Sequence, residues 1–251
     1  MLEHRDTPAP SPGSGATVAT AWPLRPAIAL VVGVFGVTLL TSSILRATQR
    51  SGMSSVGVSL AILATFCLAY AFELGLVWAG AKRLGVGFVD SIGLRTVPRI
   101  AMWLGAAVAV GVALRIVATG YSAFMLAAGW RLPGWDANPL KYFPADVLGT
   151  AVLVVVVAVA APVVEETVFR GVFLPSLMAR FGRGWGIGIC AVVFSAMHLN
   201  AFSFAPVLLV GFALSLLLLR SRSLWTSITC HAVFNGVGIA VVLLLRGRGL
   251  V

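Results

Sequence analysis

The chain has 251 residues, of which 59% are hydrophobic and only 10% are charged, and its formal net charge is +10. Soluble domains carry about 25% charged residues, so this composition excludes a soluble cytosolic enzyme and a disordered chain. The 18 basic residues are scattered between apolar runs instead of clustering on one face, which argues against nucleic acid as a partner. Because the apolar runs are continuous and do not alternate, we predict an all-α, polytopic transmembrane helix bundle.

The chain begins with a segment that differs from the rest. Residues 1–26 are polar and rich in Pro, Gly, Ser, Thr and Ala, so we predict a disordered N-terminal tail. A membrane span needs about 20 apolar residues, and this rule predicts about seven spans, with a range of six to eight. Residues 27–146 are then an N-terminal membrane region, and 147–245 are a second one. The spans are expected at 27–45, 56–81, 100–119, 147–179, 185–199, 204–219 and 224–245.

The segment 120–146 carries Trp130, Trp135 and Tyr142, and these residue types favour a membrane interface. We expect it to lie there, with room for a short helix. Placing the N-terminus in the cytoplasm gives the cytoplasmic loops more Lys and Arg than the outer loops, which favours that orientation. Arginine far outnumbers lysine, which indicates a GC-rich bacterial source. We therefore expect an integral protein of the bacterial cytoplasmic (inner) membrane.

Ionisable side chains inside the spans are costly, so each is a functional candidate. Glu73 lies in the second span and Arg115 in the third. No motif surrounds Glu73. We interpret it as a structural or cavity-lining residue and Arg115 as its candidate partner.

The fourth span carries adjacent carboxylates. Glu166 and Arg170 are four residues apart and share one helix face, so the arginine is expected to offset the charge of Glu166. Glu165 points about 100° away from Glu166. Structural pairing that holds helices together is the competing interpretation, but two adjacent carboxylates are expensive for that purpose.

Two later spans carry histidines. His198 ends the fifth span, one turn after Phe194, and His231 shares a face of the last span with Asn235. Glu165 and His198 are equally far along the chain from the turn between their spans, so we expect them at equal depth on antiparallel helices. A carboxylate, two imidazoles and an amide suit water activation and stabilisation of an oxyanion.

The motifs Glu-Glu-x-x-x-Arg, Phe-x-x-x-His and His-x-x-x-Asn, in this order on separate apolar helices, resemble the CPBP family. This family comprises CAAX prenyl endopeptidases and bacteriocin-processing enzymes, and is also called Abi. The resemblance covers about 147–240 and implies an all-helical intramembrane endopeptidase, with 147–245 as its catalytic core. It implies the following roles: Glu165 as the general base that activates water, His198 as its assistant, Glu166 and Arg170 as orienting residues, and His231 with Asn235 as the oxyanion hole.

The resemblance leaves metal dependence open. We expect no cofactor, because asparagine is a poor zinc ligand and a good oxyanion donor; if zinc is bound, its ligands would be Glu165, His198 and His231. The expected partners are the lipid bilayer and a membrane-associated peptide or protein substrate. Two alternatives stay open. One is a transporter or proton relay, which predicts repeated halves and broken helices, and the other is a catalytically inactive relative that acts as an immunity or binding protein.

Overall fold

The computed structural model describes residues 22–135 and 139–247. These residues form eight helices and one 3₁₀ turn, Pro139–Tyr142, without any strand, which confirms the predicted all-α bundle. The helices are α1 Leu24–Gln49, α2 Ser55–Arg83, α3 Phe88–Ile92, α4 Ile100–Ala127, α5 Val147–Phe181, α6 Arg183–Ala196, α7 Phe204–Ser221 and α8 Leu224–Gly247.

Six helices of the described chain are long and apolar enough to cross a membrane: α1, α2, α4, α5, α7 and α8. This number lies at the lower end of the predicted range. The difference is α6, which has 14 residues and takes the place of the expected span 185–199. At about 1.5 Å per residue it is roughly 21 Å long, which is short of the 30 Å of a hydrocarbon core.

The N-terminal boundary differs slightly from the prediction. Helix α1 begins at Leu24, so residues 24–26, which the sequence assigns to the tail, are helical. Just before this helix, Trp22 is buried, and its ring lies against α2 at Gly80. A Cβ atom at position 80 would overlap this ring. Residues 1–21, the rest of the predicted tail, lie outside the described residues.

The segment 120–146 is partly helical, because α4 continues to Ala127. Beyond that helix, Trp130 and Trp135 are exposed, and the interfacial location of this segment stays a prediction. Residues 136–138 lie outside the described part of the chain. The segment ends at Asp146, whose carboxylate accepts a hydrogen bond from the Gly149 backbone N–H at 2.7 Å and caps α5. This hydrogen bond holds the pKa of the Asp146 carboxyl below its ordinary value.

Helix α5 is not a regular α-helix. It contains two wide π-helical segments, Val154–Ala160 and Thr167–Phe173. Each is followed closely by a proline, Pro162 or Pro175, which has no N–H to donate and clashes with the carbonyl four residues earlier. The backbone widens before each proline for this reason. The adjacent glutamates of the motif lie on the short α-helical segment between the two wide turns.

Helices α4 and α8 approach closely at Gly111. A Cβ atom at this position would lie 2.6 Å from the Cys230 carbonyl oxygen and 3.0 Å from Cβ of Val233, both on α8. Small residues at such crossings allow two membrane helices to pack backbone to backbone. Gly111 therefore sets the distance between α4 and the helix that carries His231.

Gly111→Leu is expected to lower the free energy of unfolding by about 1–3 kcal/mol, because a larger side chain forces α4 and α8 apart. Thermal unfolding of the purified protein in detergent measures the change. Gly105→Leu is the matched control, since Gly105 lies on the same helix and faces open space. Equal melting temperatures for the two variants would contradict the role of Gly111 as a spacer.

Candidate active site

A cavity of about 970 Å³ lies within the bundle, and seven of the eight helices contribute to its wall. Its lining is mostly apolar but includes the polar and ionisable side chains that the sequence singled out. Those on the wall are Glu73, Arg115, Glu165, His198, His231 and Asn235. The two remaining residues of the motif, Glu166 and Arg170, are fully buried behind this wall.

Glu166 is the centre of a buried polar network. Its Oε1 atom accepts a hydrogen bond from Arg170 Nη1 at 3.0 Å, which confirms the pairing expected from their spacing. The same oxygen accepts a second hydrogen bond from His231 Nδ1 at 2.9 Å. Arg170 Nη2 also donates to the Gly211 carbonyl at 3.2 Å, which ties α5 to α7. A charge in a membrane interior is tolerated when it is paired in this way.

His231 lies between the two carboxylates. Its Nδ1–H donates a hydrogen bond to Glu166. Its Nε2 atom, on the other side of the ring, faces Glu165 and lies 3.9 Å from Oε2 of that residue. The side chain of Glu165 is 31% exposed, whereas that of Glu166 is fully buried. The angle of about 100° between neighbouring side chains on a helix gives the two glutamates these different surroundings. Glu165 is therefore the carboxylate that a molecule in the cavity can reach.

Phe194 links the charged groups of the site. Its ring centre lies 4.2 Å from the guanidinium carbon of Arg170, and its edge-on neighbours are His198 at 5.1 Å and His231 at 5.8 Å. A cation near an aromatic face is attracted by the ring quadrupole. The ring is almost fully buried and so fixes the positions of both histidines. The spacing of Phe194 from His198 in the motif did not predict its contact with Arg170.

His198 lies two residues past the end of α6 and lines the same cavity as Glu165. Its Nδ1 atom lies 2.9 Å from the Phe194 carbonyl oxygen. Because a carbonyl only accepts, Nδ1 carries the hydrogen and Nε2 is left for a ligand. It is His231, and not His198, that contacts the two glutamates directly.

Asn235 binds the backbone of α5. Its amide donates to the Val157 carbonyl at 2.9 Å. This carbonyl is free because the Ala161 N–H bonds to Val156 in the wide turn and the next residue, Pro162, has no N–H. The hydrogen bond holds α8 against α5 and fixes the amide beside the cavity.

The expected pairing of Glu73 with Arg115 is wrong. Both side chains line the cavity, but they form no ion pair with each other. Arg115 instead donates from Nε to the Phe234 carbonyl at 2.8 Å. Glu73 is a cavity-lining residue, as its lack of a surrounding motif suggested.

Glu165, His198 and His231, the residues named for zinc, all line the cavity. Among the described side chains, no group of three His, Cys, Asp or Glu residues lies close enough together to hold a metal ion. The Nδ1 atom of His198 is hydrogen-bonded to the Phe194 carbonyl and that of His231 to Glu166, which leaves Nε2 of both imidazoles available to a ligand.

The fold and the site define an all-α integral membrane protein with a glutamate–histidine centre in a cavity between its helices. Residues 147–237 match the model of the type II CAAX prenyl endopeptidase Rce1-like family. This match lies on the part of the chain that carries the motifs, and it confirms the resemblance to the CPBP family.

The chain is also 32% identical over 158 residues to CAAX prenyl protease 2 of Arabidopsis thaliana, covering 51% of the chain. It spans about half the length of that curated relative, 50%. No solved structure matches the chain.

Proposed function

We propose that the protein is an intramembrane endopeptidase that hydrolyses a peptide bond in a membrane-associated protein or peptide. One observation carries this proposal: the accessible carboxylate of Glu165 lies 3.9 Å from a histidine whose other nitrogen is fixed by a second, buried glutamate. The similarity to a CAAX prenyl protease supports the same class of reaction. On the same basis, we propose that the substrate carries a lipid anchor.

In the proposed reaction, the carboxylate of Glu165 takes a proton from a water molecule in the cavity as the oxygen attacks the carbonyl carbon of the peptide. The tetrahedral intermediate then breaks at its C–N bond. Glu165 returns the proton to the departing amine, so that the carboxylate is regenerated and one water molecule is consumed. His198 lies on the same cavity wall and presents its free Nε2 atom to the attacking water.

The negative charge that develops on the carbonyl oxygen needs hydrogen-bond donors that are already in place. His231 and Asn235 lie one turn apart on α8, and both line the cavity. Because the Nδ1–H of His231 is donated to Glu166, the oxyanion role requires that Nε2 also carry a hydrogen. The hydrogen bond to Val157 orients the Asn235 amide, whose second N–H is left for the substrate.

The decisive experiment measures cleavage by the purified protein in liposomes, with membrane-anchored peptides in lipidated and non-lipidated forms. Mass spectrometry of the products locates the bond that is cut. His231→Ala is expected to reduce cleavage by about 10²- to 10³-fold, the usual loss when an oxyanion donor is removed. Trp185→Ala is the control, because Trp185 is exposed on the surface.

The alternatives give different results in the same preparation. A transporter or proton relay would move protons or solute across the liposome membrane without cutting any peptide. An inactive relative would bind the peptides and leave them intact. Cleavage that is unaffected by His231→Ala would contradict the proposed site.

We also propose that the protein lies in a bacterial inner membrane with its N-terminus in the cytoplasm. Labelling of a single added cysteine from either side of the membrane tests this orientation.

A further inference from the structure

Hydrogen bonds between loops define the two ends of the helix bundle. At one end, the Phe202 N–H donates to the Pro133 carbonyl at 3.1 Å, which joins the turn after α6 to the segment between α4 and α5. At the other end, the Leu224 N–H donates to the Gly93 carbonyl at 3.0 Å, which joins the turn between α7 and α8 to the loop after α3. We call the first the α1–α2 end, because the turn between those helices also lies there, and the second the α7–α8 end.

The cavity of the active site reaches the α1–α2 end. Arg46 lines it only three residues before α1 ends. Gly134 and Lys141, in the segment between α4 and α5, line it too. Gln49 donates to the Tyr142 carbonyl at 2.8 Å, so the end of α1 and this segment form one rim. Arg46 and Lys141 are exposed, and two exposed cations place the rim in contact with water and headgroups, outside the hydrocarbon.

The α7–α8 end is filled by buried side chains. Val168, Val172 and Leu174 follow the catalytic glutamates on α5 toward this end, and all three are fully buried. A Cβ atom at Gly171 would lie 2.8 Å from Cβ of Ile92, so α3 packs directly on the same part of α5. These apolar contacts separate the glutamates from the α7–α8 end.

The catalytic pair therefore lies at the inner end of a cavity with one direction of entry. His231 follows Leu224, the first residue of α8, by seven residues, so it lies about 10 Å along the helix from the α7–α8 end. The lining of α1 runs from Val34 to Arg46, which is about 18 Å along that helix, and leads to the other end. A peptide that reaches Glu165 passes along this length.

Hydroxyl groups follow the same route between the rim and the catalytic pair. The cavity wall carries such groups on α1 and α4, at Thr38, Thr41, Ser42, Thr119 and Ser122. Polar side chains within a membrane protein face a water-filled cavity or the bundle interior. This wall suits both the polar backbone of an entering peptide and the water that hydrolysis consumes.

The distribution of basic residues relates these ends to the two sides of the membrane. Trp22, just before α1, packs on α2 at Gly80, close to the end of that helix, so α1 begins at the α7–α8 end. Each turn at this end carries two or more cations: Lys82 and Arg83, Arg180 and Arg183, Arg220 and Arg222. Loops rich in arginine and lysine are typical of the cytoplasmic side.

We propose that the substrate enters from the α1–α2 end and that the bond that is cut lies in an extracytoplasmic segment of a membrane-anchored protein. The proposal rests on the endopeptidase function and on the orientation proposed above. With the N-terminus in the cytoplasm, the rim at Arg46 and Lys141 faces the outside, and the side filled by α3 faces the cytoplasm.

Two neighbouring cysteine variants test the direction of entry. Ser42→Cys places a thiol on the cavity wall, whereas Ser43→Cys places one on the exposed face of the same helix, outside the cavity. Both carry Cys67→Ser, since Cys67 is exposed, while Cys190 and Cys230 are buried. A charged thiol reagent that does not cross membranes, added outside right-side-out membrane vesicles, is expected to stop peptide cleavage by Ser42→Cys and to leave Ser43→Cys active.

The second test supplies a membrane-anchored peptide that the purified protein cuts to the outside of vesicles of either orientation. Right-side-out vesicles are expected to cut it directly, and inside-out vesicles only after detergent has opened them. Arg180→Cys, at an exposed position of the α7–α8 end, is expected to react with the same reagent only in intact inside-out vesicles.

Cleavage by intact inside-out vesicles, or an equal effect of the reagent on Ser42→Cys and Ser43→Cys, would overturn the inference and leave the endopeptidase proposal intact. Reaction of Arg180→Cys in right-side-out vesicles would reverse the orientation and overturn it as well. Failure to cut any peptide, by the purified protein or by opened vesicles, refutes the proposed function itself.

Discussion

Glu165→Gln is expected to reduce peptide cleavage by about 10²- to 10⁴-fold, the usual contribution of a general base. Glutamine has nearly the same shape but cannot take a proton from water. The fold should be unaffected, because the buried hydrogen bonds of the site belong to Glu166 and not to Glu165. The measurement is the initial rate of cleavage in liposomes, together with the melting temperature of each variant.

Glu73→Gln is the matched control for this experiment. It removes a second carboxylate from the same cavity, but one that the structure does not place next to His231. We expect it to keep most of the cleavage activity. If Glu165→Gln cleaves at the wild-type rate while Glu73→Gln does not, the general base has been assigned to the wrong residue.

Arg170→Met is expected to lower the free energy of unfolding by about 3–5 kcal/mol, because it leaves the carboxylate of Glu166 buried without its main partner. Both side chains of this pair are fully buried, and Arg170 also loses its hydrogen bond to Gly211 and its contact with Phe194. Unfolding by increasing detergent or heat, followed by circular dichroism, measures the loss.

The double variant Glu166→Gln/Arg170→Met tests the cause of that loss. It removes the unbalanced charge, so it is expected to be more stable than Arg170→Met alone. Arg180→Met, at an exposed arginine of the same helix, should leave stability within about 0.5 kcal/mol of the wild type. A double variant no more stable than Arg170→Met would show that packing, and not charge, dominates the loss.

The sequence allowed much of this site to be predicted, because helix periodicity fixes which side chains share a face. The pairing of Glu166 with Arg170 followed from their spacing of four residues, and the different surroundings of Glu165 followed from the angle between neighbours. Glu165 and His198 line one cavity, but their equal depth, expected from their equal distance from one turn, stays a prediction. Composition, together with the continuity of the apolar runs, was sufficient to predict the helical membrane class.

Other features depend on contacts between helices, which periodicity does not determine. The expected partnership of Glu73 and Arg115 was wrong because the position of α8 offers Arg115 a carbonyl and an aromatic ring instead. His231 was expected only as an oxyanion donor, but it also joins the two glutamates. The length of α6 was overestimated, since the residues from Met197 onward leave the helix although the sequence stays partly apolar.

The wide turns of α5 have a consequence for how the sequences of related chains can vary. Each turn accommodates an additional residue compared with an ordinary α-helix. Deleting one residue from Val154–Ala160 would close that turn into an ordinary α-helix, and the segments on either side would keep nearly the same faces. Inserting a further residue would instead rotate one part of the helix against the other by about 100° and turn both glutamates away from His231. We therefore expect active relatives to tolerate a one-residue deletion in this stretch better than a one-residue insertion.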